Sequence, residues 1–248
     1  MNSKLQDEPS LSFLTFAQKV LQSHGRSLVL LFIGVVLPLL LFEQLALIIW
    51  QNKEGFPWDE AILLRLHALE QPSLTKVATG LTRFGGFKSV TIITSALSVI
   101  CLVRQRWRSL LYFVITLVGT GLINRTAKEL LHRVRPNLWA SSAPEFDFSF
   151  PSGHATASMT VIAALVIISW GSRWFWFVVV CGGSYVITIA WTRLYLGVHF
   201  PSDILGAWLI SIAWAIGVSL VIRPHLNQAH FFDETHLTNE EESSQTIN

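Results

Sequence analysis

Charge is scarce in this sequence. Asp, Glu, Lys and Arg make up 14% of its 248 residues, against roughly a quarter in an ordinary soluble domain. So few charges cannot cover a water-soluble globule, and they equally exclude a highly charged disordered chain. Cysteine is scarcer still. Cys101 and Cys181 are the two in the sequence, too few for a disulfide scaffold, and both lie inside apolar runs as small hydrophobes. The formal net charge is only +2 and no basic tract accompanies it, which argues against a nucleic-acid partner. No set of His, Cys, Asp and Glu has the spacing of a metal site, and no cofactor is expected. No internal repeat or low-complexity tract is visible.

What the chain has in abundance is apolar sequence: 51% hydrophobic residues, with a mean hydropathy of +0.48. These residues gather in six runs, at 28–50, 86–103, 109–127, 155–170, 174–191 and 204–222. A hydrocarbon core of about 30 Å takes roughly 20 helical residues to cross. The expected fold class is therefore all-α, a polytopic membrane bundle with six transmembrane helices over residues 27–224. Two runs are shorter than ideal, which tilt or local thinning accommodates. The first run is too long for a signal peptide and no small-residue cleavage site follows it. Most tryptophans, Trp50, Trp107, Trp170, Trp174 and Trp191 among them, stand at run ends, where the indole prefers the headgroup layer. The polar segment 1–26 is expected on the cytoplasmic side. The acidic, Ser/Thr/Asn-rich segment 225–248 is expected to be a disordered tail.

The connections alternate between the two sides of the membrane. Linkers 104–108 and 171–173 are short and share a side with both termini. Connections 51–85, 128–154 and 192–203 share the other. Arg104, Arg106 and Arg108 crowd the first short linker, so the positive-inside tendency places that side in the cytoplasm. Raw Lys/Arg counts on the two sides are nearly balanced. A cell (inner) membrane is the expected location, with the long connections outside. Within the first of these, segment 61–69 is amphipathic and suits either the membrane surface or packing against the bundle. Glu43, inside the first run, reads as structural, a helix–helix hydrogen bonder or a side chain near the interface, in preference to a functional carboxylate.

The informative residues are the polar ones that the runs do not explain. A first cluster, Asn124 to Pro136, holds Lys128 and Arg135 seven residues apart. On one continuous helix that spacing puts both on the same face, with Pro136 ending the helix. A second, Phe150-Pro151-Ser152-Gly153-His154, stands immediately before the fourth run. The third runs from Thr192 and Arg193 through His199 to Asp203. Alternation brings all three to one side, beside the ends of runs three to six.

Each residue type suits a phosphate ligand. Lys128, Arg135 and Arg193 supply fixed cations, the arginines as planar forks. Ser152 and Gly153 open a helix, where amides and a hydroxyl meet an anion at the positive helix end. One histidine can attack phosphorus while the other protonates the leaving oxygen. Asp203, one helical turn beyond His199, can take the imidazole's second proton and select the tautomer with a free nitrogen. His199 is accordingly the expected nucleophile and His154 the expected acid. His24, His67, His132, His225, His230 and His236 are read as incidental.

Lys128-x6-Arg135-Pro136, Pro151-Ser152-Gly153-His154 and Arg193-x5-His199-x3-Asp203 resemble the three signature motifs of the type-2 phosphatidic acid phosphatase superfamily. These are integral-membrane lipid phosphate phosphatases. The resemblance implies a helical bundle and metal-independent hydrolysis of a phosphate ester or anhydride through a phosphohistidine. It implies His199, His154 and Asp203 as catalytic residues, and Lys128, Arg135, Ser152, Gly153 and Arg193 as the phosphate cradle. One departure is Thr192, where the family usually has Ser; a hydroxyl is retained and its hydrogen bond is expected to survive. Lipid partners that fit are prenyl diphosphates, phosphatidylglycerophosphate and phosphatidate, and no protein partner is implied. Two rival readings are a transporter or binding protein, which would place charges near the bilayer midplane, and a vanadate-dependent haloperoxidase-like enzyme.

Overall fold

The computed structural model describes residues 25, 27–53 and 55–224, so the expectations for the head and for the tail 225–248 lie outside the described residues. Every regular element among the described residues is helical. α1 is Ser27–Gln51, α2 Pro57–His67, α3 Pro72–Thr82, α4 Phe87–Val103, α5 Trp107–Leu131, α6 Gly153–Ile168, α7 Phe175–Tyr195 and α8 Pro201–Ile222. Their starts are written in the sequence. Pro57, Pro72 and Pro201 occupy first-turn positions, where a missing N–H costs nothing and the fixed φ suits a helix. α1 contains a π turn at Phe32–Val36, just before Pro38. Pro38 cannot donate to the ladder, and the Leu37 amide reaches back to the Phe32 carbonyl instead.

α1, α5, α7 and α8 are each long and apolar enough to cross a bilayer. α3 and α4 meet at 44° across a 3-10 turn at Arg83–Gly85 and together make a fifth such stretch. α6 has 16 residues, about 24 Å of helix. It is the central element, packed against α5, α7 and α8. Small residues make that packing close. Ala155, Ala190 and Ala207 are buried where α6, α7 and α8 meet, the composition by which membrane helices approach one another. Outward-facing residues are large and apolar, among them Ile92, Val118, Leu122, Phe177, Ile187 and Val221. Such a surface suits lipid and not water. Glu43 is exposed on α1.

Two expectations are corrected by the path of the chain. Connection 51–85, expected as an outer loop with one amphipathic segment, folds into α2, α3 and the turn that follows. The amphipathic segment packs on the bundle: Leu63 and Asp59 of α2 are fully buried, and α2 rests on α7 and α8. The second correction concerns Arg135. α5 ends at Leu131 and His132 turns left-handed with φ 49°, so Lys128 and Arg135 do not share a helix face. The residue before a proline disfavours the helical region, and Arg133 and Val134 instead pair with the returning limb. Ser149 donates its amide to the Arg133 carbonyl at 2.9 Å and its hydroxyl to the Val134 carbonyl at 3.2 Å.

Candidate active site

Four helix ends converge on one side of the bundle: the end of α5, the start of α6, the end of α7 and the start of α8. Segment 132–152 folds over them. The start of α6 is tied down from two directions. Asn124 of α5 donates to the Pro151 carbonyl at 3.2 Å and to Thr156 Oγ1 at 2.9 Å. The Ser152 amide donates to the Asp203 carbonyl at 3.2 Å. Phe150, fully buried, lies against Gly206 of α8, where an added Cβ would come within 2.5 Å of its ring. The Ser152 hydroxyl caps α6, 3.5 Å from the Ala155 amide. Gly153 has open space where its Cβ would be and lines the cavity described below.

His154 and His199 face one shared position, which a carboxylate fills. Glu145 Oε1 is 3.4 Å from His154 Nδ1, and Oε2 is 3.6 Å from His199 Nε2. Oε2 also accepts from Arg135 Nη2 at 2.7 Å, and Oε1 pairs with Arg193. Two residues on, Asp147 pairs with Arg135 and lies 2.8 Å from Lys128 Nζ. Phe146 between them is exposed, as alternation along an extended strand of chain requires. The three cations named from sequence are therefore all brought to this place, each held by a carboxylate of segment 145–147. Arg193 is steadied by Thr82 Oγ1 at 2.8 Å. Thr192 is fully buried and its hydroxyl donates to the Ile189 carbonyl at 2.7 Å, within its own helix.

His199 is fully buried. Arg135 Nη1 lies 2.9 Å from its Nε2. A guanidinium can only donate, so Nε2 accepts and the ring proton sits on Nδ1, facing Asp203 Oδ2 at 3.3 Å. Burial holds the imidazole below its ordinary value, against the opposing pull of Asp203 and Glu145. For Glu145, burial alone would raise the carboxyl. The charges of Arg193 and Arg135 outweigh it, and the group lies well below the usual carboxylate range. Asp147 is lowered in the same way, by Lys128 and Arg135 against its burial.

Sequence reasoning missed four residues here: Glu145, Asp147, Arg133 and Asp59. Arg133 is fully buried and reaches Asp203 Oδ1 at 2.5 Å with Nη1 and Asp59 Oδ2 at 2.8 Å with Nη2. A signal for the last pair was present. The tetrapeptides Phe56-Pro57-Trp58-Asp59 and Phe200-Pro201-Ser202-Asp203 share Phe-Pro-x-Asp. In each, the aspartate accepts from the phenylalanine amide in a capping box.

Known proteins resemble this chain in sequence and in fold. Residues 109–226 match the PAP2 superfamily. The chain is 33% identical over 164 residues to phosphatidylglycerophosphatase B of Bacillus subtilis, covering 62% of this chain and 78% of that protein. It is 27% identical over 127 residues to undecaprenyl-diphosphatase of Sulfolobus acidocaldarius, covering 49% of this chain and 59% of that one. The crystal structure of a transmembrane PAP2-type phosphatidylglycerolphosphate phosphatase from Bacillus subtilis superposes with a TM-score of 0.66 at 29% identity, over 74% of this chain and 93% of that chain. Motifs, convergent helix ends and relatives lead to one assignment: the chain belongs to the PAP2 superfamily and is a multi-pass membrane phosphatase.

Proposed function

We propose that this phosphatase hydrolyses a lipid phosphate without a metal ion, through a phosphohistidine on His199. The observation that carries the reading is the position of Glu145. One anion there touches Arg135, Arg193 and both histidines, which is the environment a reacting phosphoryl group needs. His199 Nε2 attacks phosphorus while the phosphorus–oxygen bond to the lipid breaks. His154 gives the leaving oxygen its proton, then takes one from the water that releases inorganic phosphate. Asp203 keeps the His199 proton on Nδ1 and supports the positive ring. Lys128, Arg135 and Arg193 hold the phosphoryl oxygens, with Gly153 at the open helix start.

The lipid part of the substrate is supported by a cavity of about 660 Å³ beside the cradle. Its walls are apolar, with Val90, Leu117, Val118 and Leu122 from α4 and α5, and it ends at Lys128 and His154. A headgroup can react there while its chain stays in hydrocarbon. In this reading the α3–α4 pair and the short α6 complete six crossings of the cell membrane, with the site at the outer face and both termini in the cytoplasm. Phosphatidylglycerophosphate, a prenyl diphosphate and phosphatidate all present the required terminal phosphoryl group. The relatives' names favour the first two. The test is phosphate release from these three lipids in mixed micelles containing EDTA. Release from at least one is expected, and a strict Mg²⁺ requirement would overturn the mechanism.

A further inference from the structure

Two helices begin with the same four-residue device and pinch one arginine between them. Asp59 at the start of α2 and Asp203 at the start of α8 both face Arg133, and all three side chains are fully buried. Ser202 closes the group. It donates its amide to Asp59 Oδ1 at 2.9 Å and its hydroxyl to Asp59 Oδ2 at 2.6 Å, and accepts from Arg133 Nη1 at 2.7 Å. The guanidinium lies 4.3 Å over the Phe200 ring. Even the turn before α2 is shaped to it. Gly55 has φ +85°, and a Cβ there would come within 1.9 Å of Arg133 Nη2.

The geometry assigns Asp59 and Arg133 as a positioning couple for the Asp203–His199 pair, which rests on the reading of His199 as nucleophile. Arg133 holds Asp203 Oδ1, so that Oδ2 is left to the Phe200 amide at 2.9 Å and to His199 Nδ1 at 3.3 Å. A lone guanidinium so close would cancel the Asp203 charge. Asp59 offsets that guanidinium, so that the Asp203 charge stays available to the imidazole. The outer helix α2 is thereby part of the catalytic apparatus, although none of its residues reaches the substrate position.

This division of labour fixes the sign of three substitutions. Asp59→Asn keeps the side-chain volume, removes one negative charge and lowers the His199 pKa. Arg133→Met removes one positive charge and raises it. Asp59→Asn combined with Arg133→Met removes one charge of each sign and returns the titration to the wild-type position. In that double variant kcat stays at least about tenfold down, because Asp203 Oδ1 has lost its donor. The other groups facing His199 are Arg135 and Glu145 from segment 132–152, with His154 of α6 and Arg193 of α7 across Glu145. None of them is altered.

The experiment is a ring-nitrogen NMR titration of the full chain in detergent micelles, with the His199 signal assigned by its loss in His199→Ala. Phosphate release from phosphatidylglycerophosphate is measured beside it. A downward shift in Asp59→Asn, cancelled in the double variant, is the expected result. Equal titrations in wild type and Asp59→Asn would overturn the couple, as would a displaced titration in the double variant. Should Asp59→Asn or Arg133→Met not fold, wild type against the double variant decides the matter. The same titration with an undiminished kcat would also overturn it. The titration needs no turnover. A chain that titrates as expected and releases no phosphate would overturn the proposed function and leave the couple standing.

Discussion

Glu145 Oε2 stands 2.7 Å from Arg135 Nη2, inside the cradle that a phosphoryl group would occupy. Its side chain is 25% exposed, so the carboxylate reaches inward from the edge. Any anion entering the cradle displaces it. Glu145→Gln is expected to lower the inhibition constant for vanadate about tenfold, equivalent to about 1.4 kcal/mol, and KM for a lipid phosphate with it. Inhibition measured in micelles checks this. An unchanged constant would show that the carboxylate leaves at no cost.

His199→Ala is expected to abolish phosphate release while the chain still folds, because the imidazole meets its neighbours through polar contacts at helix ends and not through a packed apolar core. Asp203→Asn is expected to reduce kcat by about 10⁴, the size of effect seen when a catalytic histidine loses its tautomer control. Both are read as turnover per folded molecule. Near-normal turnover in His199→Ala would remove it as nucleophile.

The pairing of His154 with His199 was legible in the sequence because it needs only motif residues and the alternation of apolar runs. Helix starts were less legible: the apolar pattern opens at 61 and 204, whereas the helices open at Pro57 and Pro201. Arg135 was misplaced for an equally local reason. Spacing along an assumed helix says nothing once His132 turns left-handed and the chain doubles back through Ser149. Glu145 and Asp147 were invisible because their partners lie in three separate segments. Their carboxylates look like ordinary loop charges until the fold closes. The Asp59–Arg133 contact spans 74 positions, and only the repeated Phe-Pro-x-Asp spelling hinted at it.

Acid should spare the proposed nucleophile. Burial lowers the His199 pKa, so the neutral ring that the proposed attack needs persists below the ordinary histidine value of about 6.5. The acid limb of kcat/KM assigned to His199 is therefore expected below pH 6.5. Stability follows the same sign. The unfolded chain takes up a proton near pH 6.5 that the folded site resists, so this contribution is full above that pH and is lost as pH falls through the folded value. Unfolding midpoints between pH 7.5 and pH 5 should fall accordingly. A limb above pH 6.5 would contradict the burial argument.

Access through the side of the bundle separates a lipid phosphatase from one that takes its substrate from water. Gly121 lies on the cavity face of α5 with nothing within 4 Å of its would-be Cβ, so an indole can enter without displacing the core. Gly121→Trp is expected to fill part of the apolar space between α4 and α5 and leave the cradle intact. KM for a long-chain lipid phosphate should rise at least about tenfold, the scale of losing a few buried methylenes. A short-chain, water-soluble phosphate should be hydrolysed within about twofold of the wild-type rate, because an unchanged cradle supplies the same transition-state contacts. Parallel losses on both substrates would mean that the cavity supports the cradle and does not guide the chain. Unchanged constants on both would send the lipid by another route, through the water-facing side of segment 132–152.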